Sequence, residues 1–349
     1  MKMTRRLTEV FKKITPQLTD FLKNSRLTEF FKKEKENFIG INVGNYYIKG
    51  LLKQNSKIID YFIIKRNKDL PAVIREIWKK KGYSVDKIKI SVKSPLCLVR
   101  YFSFPKMDKK KMKEALEFEM SKHIPFSSGE VYFDFFVLKE INSSEVLVLL
   151  AAAKREFIDQ LLEIFEKENL KILEINLDSI CLLNFFLFAY KEEKDINSCI
   201  LDLGYSASTL TILDKDIPFL TRDLGVNVKS MIEVISHTKG LSLSEIETWL
   251  TSLENQQEFL ELVGDSISSL NKEIKNSFDY FEVNKGERIE KMYLTGGLAS
   301  VEGINNFLKE ILNVEVLTLD VFKNLNFSFS DEKFNLYKNN FTITAGLIL

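Results

Sequence analysis

The sequence predicts an α/β fold made of two related halves, and three stretches carry the prediction. The first is Cys199 to Leu210, C-I-L-D-L-G-Y-S-A-S-T-L. It reads as an apolar strand ending at Asp202, a turn at Gly204, and a return strand opened by Ser206, Ser208 and Thr209. The second, Phe38 to Lys53, F-I-G-I-N-V-G-N-Y-Y-I-K-G-L-L-K, has the same form, with Asn42 in the place of Asp202 and Gly44 in the place of Gly204. The third is the late glycine pair, Gly296 and Gly297, in Y-L-T-G-G-L-A-S. A glycine turn lets backbone N–H groups approach an anion closely. Hydroxyls beside it donate to phosphate oxygens, and an acid at a strand end holds magnesium through water, because that ion keeps much of its hydration. Two such hairpins followed by a Gly-Gly loop point to a nucleotide held by two duplicated halves.

Composition sets the outer bounds. At 349 residues the chain has room for about two domains, and 45% apolar residues supply their cores. A net charge of +1 gives no global pull toward nucleic acid, so no such partner is expected. Cys97, Cys181 and Cys199 lie far apart in apolar runs, which reads as reduced, buried thiols in a cytoplasmic protein. No His/Cys cluster has zinc spacing, and no Ser/His/Asp set is readable. The longest apolar run, Ile180 to Tyr190, is too short to span a bilayer and contains Asn184, so it reads as a buried helix.

Taken in order, residues 1–37 stand apart as a basic amphipathic extension, with ten Lys/Arg against five acids. The segment R-L-T-E-V-F-K-K, residues 6–13, returns as R-L-T-E-F-F-K-K at 26–33, and each places Leu and Phe on one helical face. Membrane-surface contact, partner docking and a frayed tail with little ordered role are all open readings of it. Residues 38–64 read as a three-strand meander, 70–81 as an amphipathic helix with Pro71 in its first turn, and 87–92 as a strand. A small α+β block follows at about 93–154: a strand, a helix from Asp108 to His123 with Asp108 as N-cap, and two more strands. His123 reads as a helix C-terminal residue favoured by the dipole, and the Lys109–Lys113 run as a solvated face. After a helix at 154–169 and a strand at 172–176, the chain reaches Asp178 and the apolar helix.

The second half opens at about 197 and repeats the meander, with a helix at 227–238, a helical region at about 239–288 and a long helix expected from Glu258 to Phe281. Ser242 and Glu245 form a capping-box pattern. The last nine residues, F-T-I-T-A-G-L-I-L, read as a small-residue helix packed on the first half.

On these motifs the chain from 38 to 349 resembles the actin-like ATPase superfamily of actin, sugar kinases and FtsA, and within it the PilM family of type IV pilus assembly. The phosphate-1 hairpin corresponds to Ile41–Lys49, the phosphate-2 hairpin to Ile200–Thr209 and the adenosine loop to Leu294–Ala299. The stretch from Phe104 to Phe135, with its K-M, I-P-F and D-F skeleton, carries the family-specific likeness, helped by Asn271–Phe281. The resemblance implies two duplicated ribonuclease H-like halves, 38–196 and 197–349, with the α+β block as the insertion subdomain of FtsA and PilM. It implies ATP with magnesium as ligand. The binding residues are then Asn42, Gly44, Asn45, Tyr46, Lys49, Asp202, Gly204, Ser206, Glu273, Asn276, Gly296, Gly297 and Leu298, and Asp202 holds the metal through water. It also implies a cytoplasmic scaffold at the inner membrane that docks the N-terminal tail of a PilN-like protein.

Asn42 departs from the acid expected at its position. It can still accept from metal-bound water but brings no charge. Tyr46 and Tyr47 stand where small hydroxyl residues are usual. Together with the lack of a second readable acid near the hairpins, this implies binding with weak turnover at most, or loss of binding. The alternatives are a membrane-tethered FtsA-like or type II secretion component, and an active kinase or hydrolase of the same fold.

Overall fold

The computed structural model describes residues 37–66, 68–329 and 331–349. The repeated basic segments at 6–13 and 26–33 lie outside the described residues. The chain divides into two compact units, one reaching to Phe186 and including Leu325–Phe329 and Ile343–Leu349, the other made of Leu187–Asn324 and residues to Thr342.

In the first unit, β1 (Phe38–Val43), β2 (Tyr47–Gln54) and β3 (Lys57–Lys65) form the expected antiparallel meander. Helix α1 (Leu70–Lys81) leads to β4 (Lys87–Val92). Then come β5 (Cys97–Pro105), α2 (Lys109–His123), β6 (Val131–Glu140), β7 (Glu145–Lys154), α3 (Arg155–Lys167), β8 (Lys171–Leu177) and α4 (Asp178–Ala189). The main sheet runs β3-β2-β1-β4-β8, with β1, β4 and β8 parallel. Parallel inner strands are buried on both faces. On one face Ile39, Ile41, Val43, Ile88, Ile90 and Val92 are apolar and buried. The other face is polar where α4 and the chain end cover it. Asn42, Ser91 and Asn176 pair in one row across β1, β4 and β8. One pair below, Lys89 and Glu174 form a buried ion pair at 3.3 Å.

The last helix closes that face by close approach. A Cβ on Gly346 would lie 1.8 Å from the Cys181 carbonyl oxygen, and one on Gly40 would lie 2.3 Å from Ile348 Cγ2. The glycines are what let a helix and a strand come this near.

A separate three-stranded sheet, β5-β7-β6, carries α2. Met112, Leu116 and Met120 of α2 are buried with Phe104, Val131, Phe135 and Val148. Each such side chain contributes about 1.5–3 kcal/mol. Asp108 caps α2, its carboxylate accepting from the Lys111 N–H at 3.0 Å. Ile124, ahead of Pro125, is extended and ends the helix.

The second unit repeats the main-sheet pattern. Strands β9 (Ser198–Leu203), β10 (Ser208–Asp214) and β11 (Ile217–Leu224) form a meander, and β12 (Lys291–Gly296) and β13 (Glu315–Thr318) pair parallel beyond β9. Helices α5 (Val228–Lys239), α6 (Leu243–Trp249), α7 (Leu253–Leu262), α8 (Gly264–Lys285), α9 (Ile304–Leu312) and α10 (Glu332–Tyr337) complete it, and the last helix, α11 (Thr342–Leu347), returns the chain to the first unit. Ile267, Leu270, Ile274 and Phe281 of α8 pack into the core with Leu201, Leu203 and Leu210.

The expected single helix from Glu258 to Phe281 is in fact two. Val263 leaves helical geometry at φ −95°, ψ 13°, and Gly264, a poor helix former, restarts the coil as α8. Strand β13 and helix α10, of 4 and 6 residues, are too short to show a period in sequence.

At His123 the dipole does not decide the charge. Its ring stacks on Phe102 with centroids 3.7 Å apart and planes 8° from parallel. Burial lowers its pKa below the ordinary 6.5, Glu119 opposing and Lys122 adding to the fall.

Two outcomes are expected. Gly346→Ala should lower the urea midpoint by an overpacking cost of about 2 kcal/mol or more. Gly264→Ala, where a Cβ meets nothing within 4 Å, should not. At His123 the unfolded chain takes up its proton first, so stability is lost as pH falls from about 6.5 through the lower folded pKa. His123→Phe keeps the stack and removes the proton. Its melting temperature should therefore drop less than the parent's between about pH 7.5 and about pH 5.5, and an equal drop would refute the assignment.

Candidate functional site

The two hairpins are built alike. In β1–β2, a Cβ on Gly44 would sit 2.5 Å from the Tyr47 carbonyl oxygen. In β9–β10, a Cβ on Gly204 would sit 2.5 Å from the Ala207 carbonyl oxygen. Each turn thus folds its backbone onto the glycine two residues after Asn42 or Asp202. Glycine is needed there for space, and Asn45 and Ser206 in the two turns are exposed.

In the first unit, Asn42 is 1% exposed and turned inward. Its Nδ2 donates to Ser91 Oγ at 2.9 Å and to Asp178 Oδ1 at 2.8 Å, which uses both amide hydrogens. Lys49 lies directly opposite Asn42 on β2. Tyr46 and Tyr47 meet edge-on with centroids 4.6 Å apart, and Lys65 Nζ stands 5.6 Å from the centre of the Tyr46 ring. They line the turn with half-buried aromatic surface.

Asp178 is the residue that sequence reasoning missed. It opens α4 straight after β8 and is 8% exposed. Its carboxyl is pushed above the usual carboxylate range by burial, while Lys49, the Asn42 amide, Lys93 and Ser91 pull the other way. The expectation of no second acid near the hairpins is therefore corrected. Asp178 stands 136 positions from Asn42, and only the parallel order β1-β4-β8 brings them together. The available signal was an acid placed where a buried strand becomes a helix. Its charge also helps burial push the Cys97 thiol up to about 12, out of the reactive range.

In the second unit, Asp202 is 6% exposed and lies against the glycine pair. Gly296 adopts φ +89°, ψ 175°, a region essentially reserved for glycine. A Cβ there would meet the Leu203 carbonyl oxygen at 2.5 Å and Asp202 Oδ1 at 2.8 Å. Thr295 fixes the start of this loop, its hydroxyl donating to Thr342 Oγ1 at 2.8 Å. Asn339 Nδ2 holds the end, donating to Ser300 Oγ at 3.0 Å. Gly297 is exposed, whereas the Leu298 side chain belongs to the core, leaving its backbone for any contact. Structure thus brings Asp202, Gly204 and Gly296 together.

Glu273 is engaged elsewhere. Its two carboxylate oxygens accept from the Gly225 N–H at 3.0 and 3.1 Å, and Arg222 Nη2 lies 3.7 Å away. Asn276, one turn on, is exposed.

Each unit thus has its own tight glycine turn, at Gly44 in the first and at Gly204 beside Gly296 in the second. A metal ion finds few ligands. Among the described residues no three His, Cys, Asp or Glu side chains gather to hold one, and Asn42 turns its amide into the protein. Asp202 is the acid that would hold a hydrated magnesium, which supplies charge neutralisation when bound. No helix among the described residues is long and apolar enough to cross a membrane.

Comparison with known proteins gives a consistent picture. The family model described as "Type IV pilus assembly protein PilM" matches residues 34–349. A chain of the solved PilM-PilN type IV pilus biogenesis complex is 21% identical, covers 90% of this chain and 98% of its own length, and superposes with a TM-score of 0.79. The ethanolamine utilization protein EutJ from Carboxydothermus hydrogenoformans is 10% identical over 89% of each chain, with a TM-score of 0.54. These likenesses establish the actin-like ATPase fold. With the family match spanning both units, the chain belongs to the type IV pilus assembly protein PilM family.

Proposed function

We propose that this chain is an ATP-binding scaffold of type IV pilus assembly. It docks the N-terminal cytoplasmic tail of a PilN-like inner-membrane protein and hydrolyses ATP weakly or not at all. The reading is carried by the family match over 34–349, together with the likeness to a chain solved as part of a PilM-PilN complex. Backbone at Gly44 and Gly204, with Asn45, Tyr46, Lys49 and Ser206, addresses the phosphates. Asp202 holds hydrated magnesium, and Gly296, Gly297 and Leu298 lie against the adenosine. Asn276 reaches the ribose or base. Glu273 joins it only by exchanging its bonds to Gly225. Turnover is slow because Asn42 brings no charge, and both of its amide hydrogens are committed to Ser91 and Asp178. The partner tail holds the protein at the cytoplasmic face of the membrane. The basic repeat of residues 1–37 favours an additional contact with the membrane surface.

The test uses a labelled peptide copied from the cytoplasmic tail of the PilN-like protein of the same organism. Anisotropy should report saturable binding to the full chain. Phosphate release from ATP with magnesium should stay below about 1 per second, under the usual enzyme range. Absence of peptide binding with and without ATP would remove the docking role. Turnover within the enzyme range would remove the scaffold reading in favour of an active hydrolase.

A further inference from the structure

The glycine turn of β9–β10 is held from behind by the start of α5. The first N–H groups of a helix have no partner within it. In α5 the hairpin meets two of them: the Val228 N–H donates to the Gly204 carbonyl at 3.1 Å, and the Lys229 N–H to the Tyr205 carbonyl at 2.9 Å. In a planar trans peptide, the carbonyl of one residue and the N–H of the next point in opposite directions. These two bonds therefore set both peptide planes of the turn, and direct the Tyr205 and Ser206 N–H groups away from α5. Asn227 fixes the helix start in its turn, its side-chain oxygen accepting from the Ser230 N–H at 3.0 Å.

The start of α5 is itself tied to α8. Only Gly225 and Val226 separate the end of β11 from the Asn227 cap, and Val226 packs on the core. The Gly225 N–H donates to both carboxylate oxygens of Glu273, at 3.0 and 3.1 Å. The approach is tight, since a Cβ on Gly225 would stand 3.1 Å from Glu273 Oε1. Arg222 Nη2, on β11, lies 3.7 Å from the same carboxylate. A short series of bonds thus runs from Glu273 through Gly225 and the Asn227 cap to the Gly204 turn, all within the second unit.

We infer that Glu273 is a positioning residue for the Gly204 turn: by holding Gly225 it fixes the start of α5, and α5 presents the turn to the phosphates of a nucleotide. The inference rests on the nucleotide-binding reading above and changes the part that Glu273 plays in it. Glu273 keeps its bonds to Gly225 when ligand binds, and acts on the phosphate end through backbone without touching the ligand. A hydrogen bond to an ionised acceptor is among the stronger ones. Alanine at 273 removes that acceptor altogether, whereas glutamine keeps one oxygen to accept from the Gly225 N–H.

The test compares two ligands in calorimetric titrations of the full chain with magnesium: ATP, and inorganic tripolyphosphate, which has no ribose or base. Glu273→Ala should weaken both by about tenfold, by factors within about twofold of each other. Glu273→Gln should stay within about threefold of the parent for both, and it keeps the proposal testable if Glu273→Ala fails to fold. Hydrogen exchange of the ligand-free chain is the second readout. A peptide containing Val228 and Lys229 should exchange about tenfold faster in Glu273→Ala than in the parent. Loss of ATP affinity with tripolyphosphate affinity unchanged would make Glu273 a ribose or base contact and overturn the inference. So would unchanged exchange at Val228 and Lys229, whatever the ligands do. A parent that binds ATP but not tripolyphosphate would overturn it too, because the turn would then not be the phosphate contact. A parent that binds neither ligand would instead overturn the nucleotide reading, and this inference with it.

Discussion

The hydrogen bond from Asn42 to Asp178 is the constraint around which the first unit is arranged. A buried carboxylate costs several kcal/mol in lost hydration unless donors replace the water. Asn42 and Ser91 supply those donors, and both stand in the paired row that β1 and β4 create. Register is thereby fixed. A slip of one residue would turn Asn42 and Ser91 to the apolar face and bring Ile41 or Val43 under α4. The neighbouring Lys89–Glu174 pair adds a second buried charge contact on the same face, with Asn176 donating to Glu174 at 3.1 Å. The close approach of Gly346 to Cys181 and of Gly40 to Ile348 seals this polar face.

The second unit solves the same geometry with different chemistry. Its meander and parallel strands repeat the order of the first sheet, and a Cβ on its hairpin glycine would meet the corresponding carbonyl oxygen at the same 2.5 Å. Asp202 is an acid where the first hairpin has Asn42, and Gly296 comes so close to it that no side chain fits there. The two hairpins share a backbone form and differ in charge. One carries its acid on the strand. The other receives its acid from a helix start beyond β8.

Much of this was legible in sequence because its signals are local. The D-x-G and N-x-G hairpins, the Asp108 cap, the Ser242–Glu245 capping box and the stop at Ile124-Pro125 each depend on neighbours a few residues apart, and each stands where the pattern put it. The family-specific stretch from Phe104 to Phe135 likewise led to the fold. What sequence did not reveal depends on distant partners. Asp178 and Asn42 are joined only by strand order. Glu273 shares a helix face with Asn276 in pattern, yet its carboxylate is held by Gly225, 48 positions away. His123 has the helix end that should favour its charge, and burial of its ring, stacked on Phe102, reverses the effect. Asn42 itself was read by what it lacked, a charge, when its role follows from what it donates to.

The most direct measurement of this account is a double-mutant cycle between Asn42 and Asp178, each replaced by Ala, followed by urea unfolding of the chain without added nucleotide. Residues joined as one buried unit should show a coupling energy above about 1 kcal/mol. Single-variant effects that add to within about 0.3–0.5 kcal/mol would mean that the two side chains act independently, and would contradict the account.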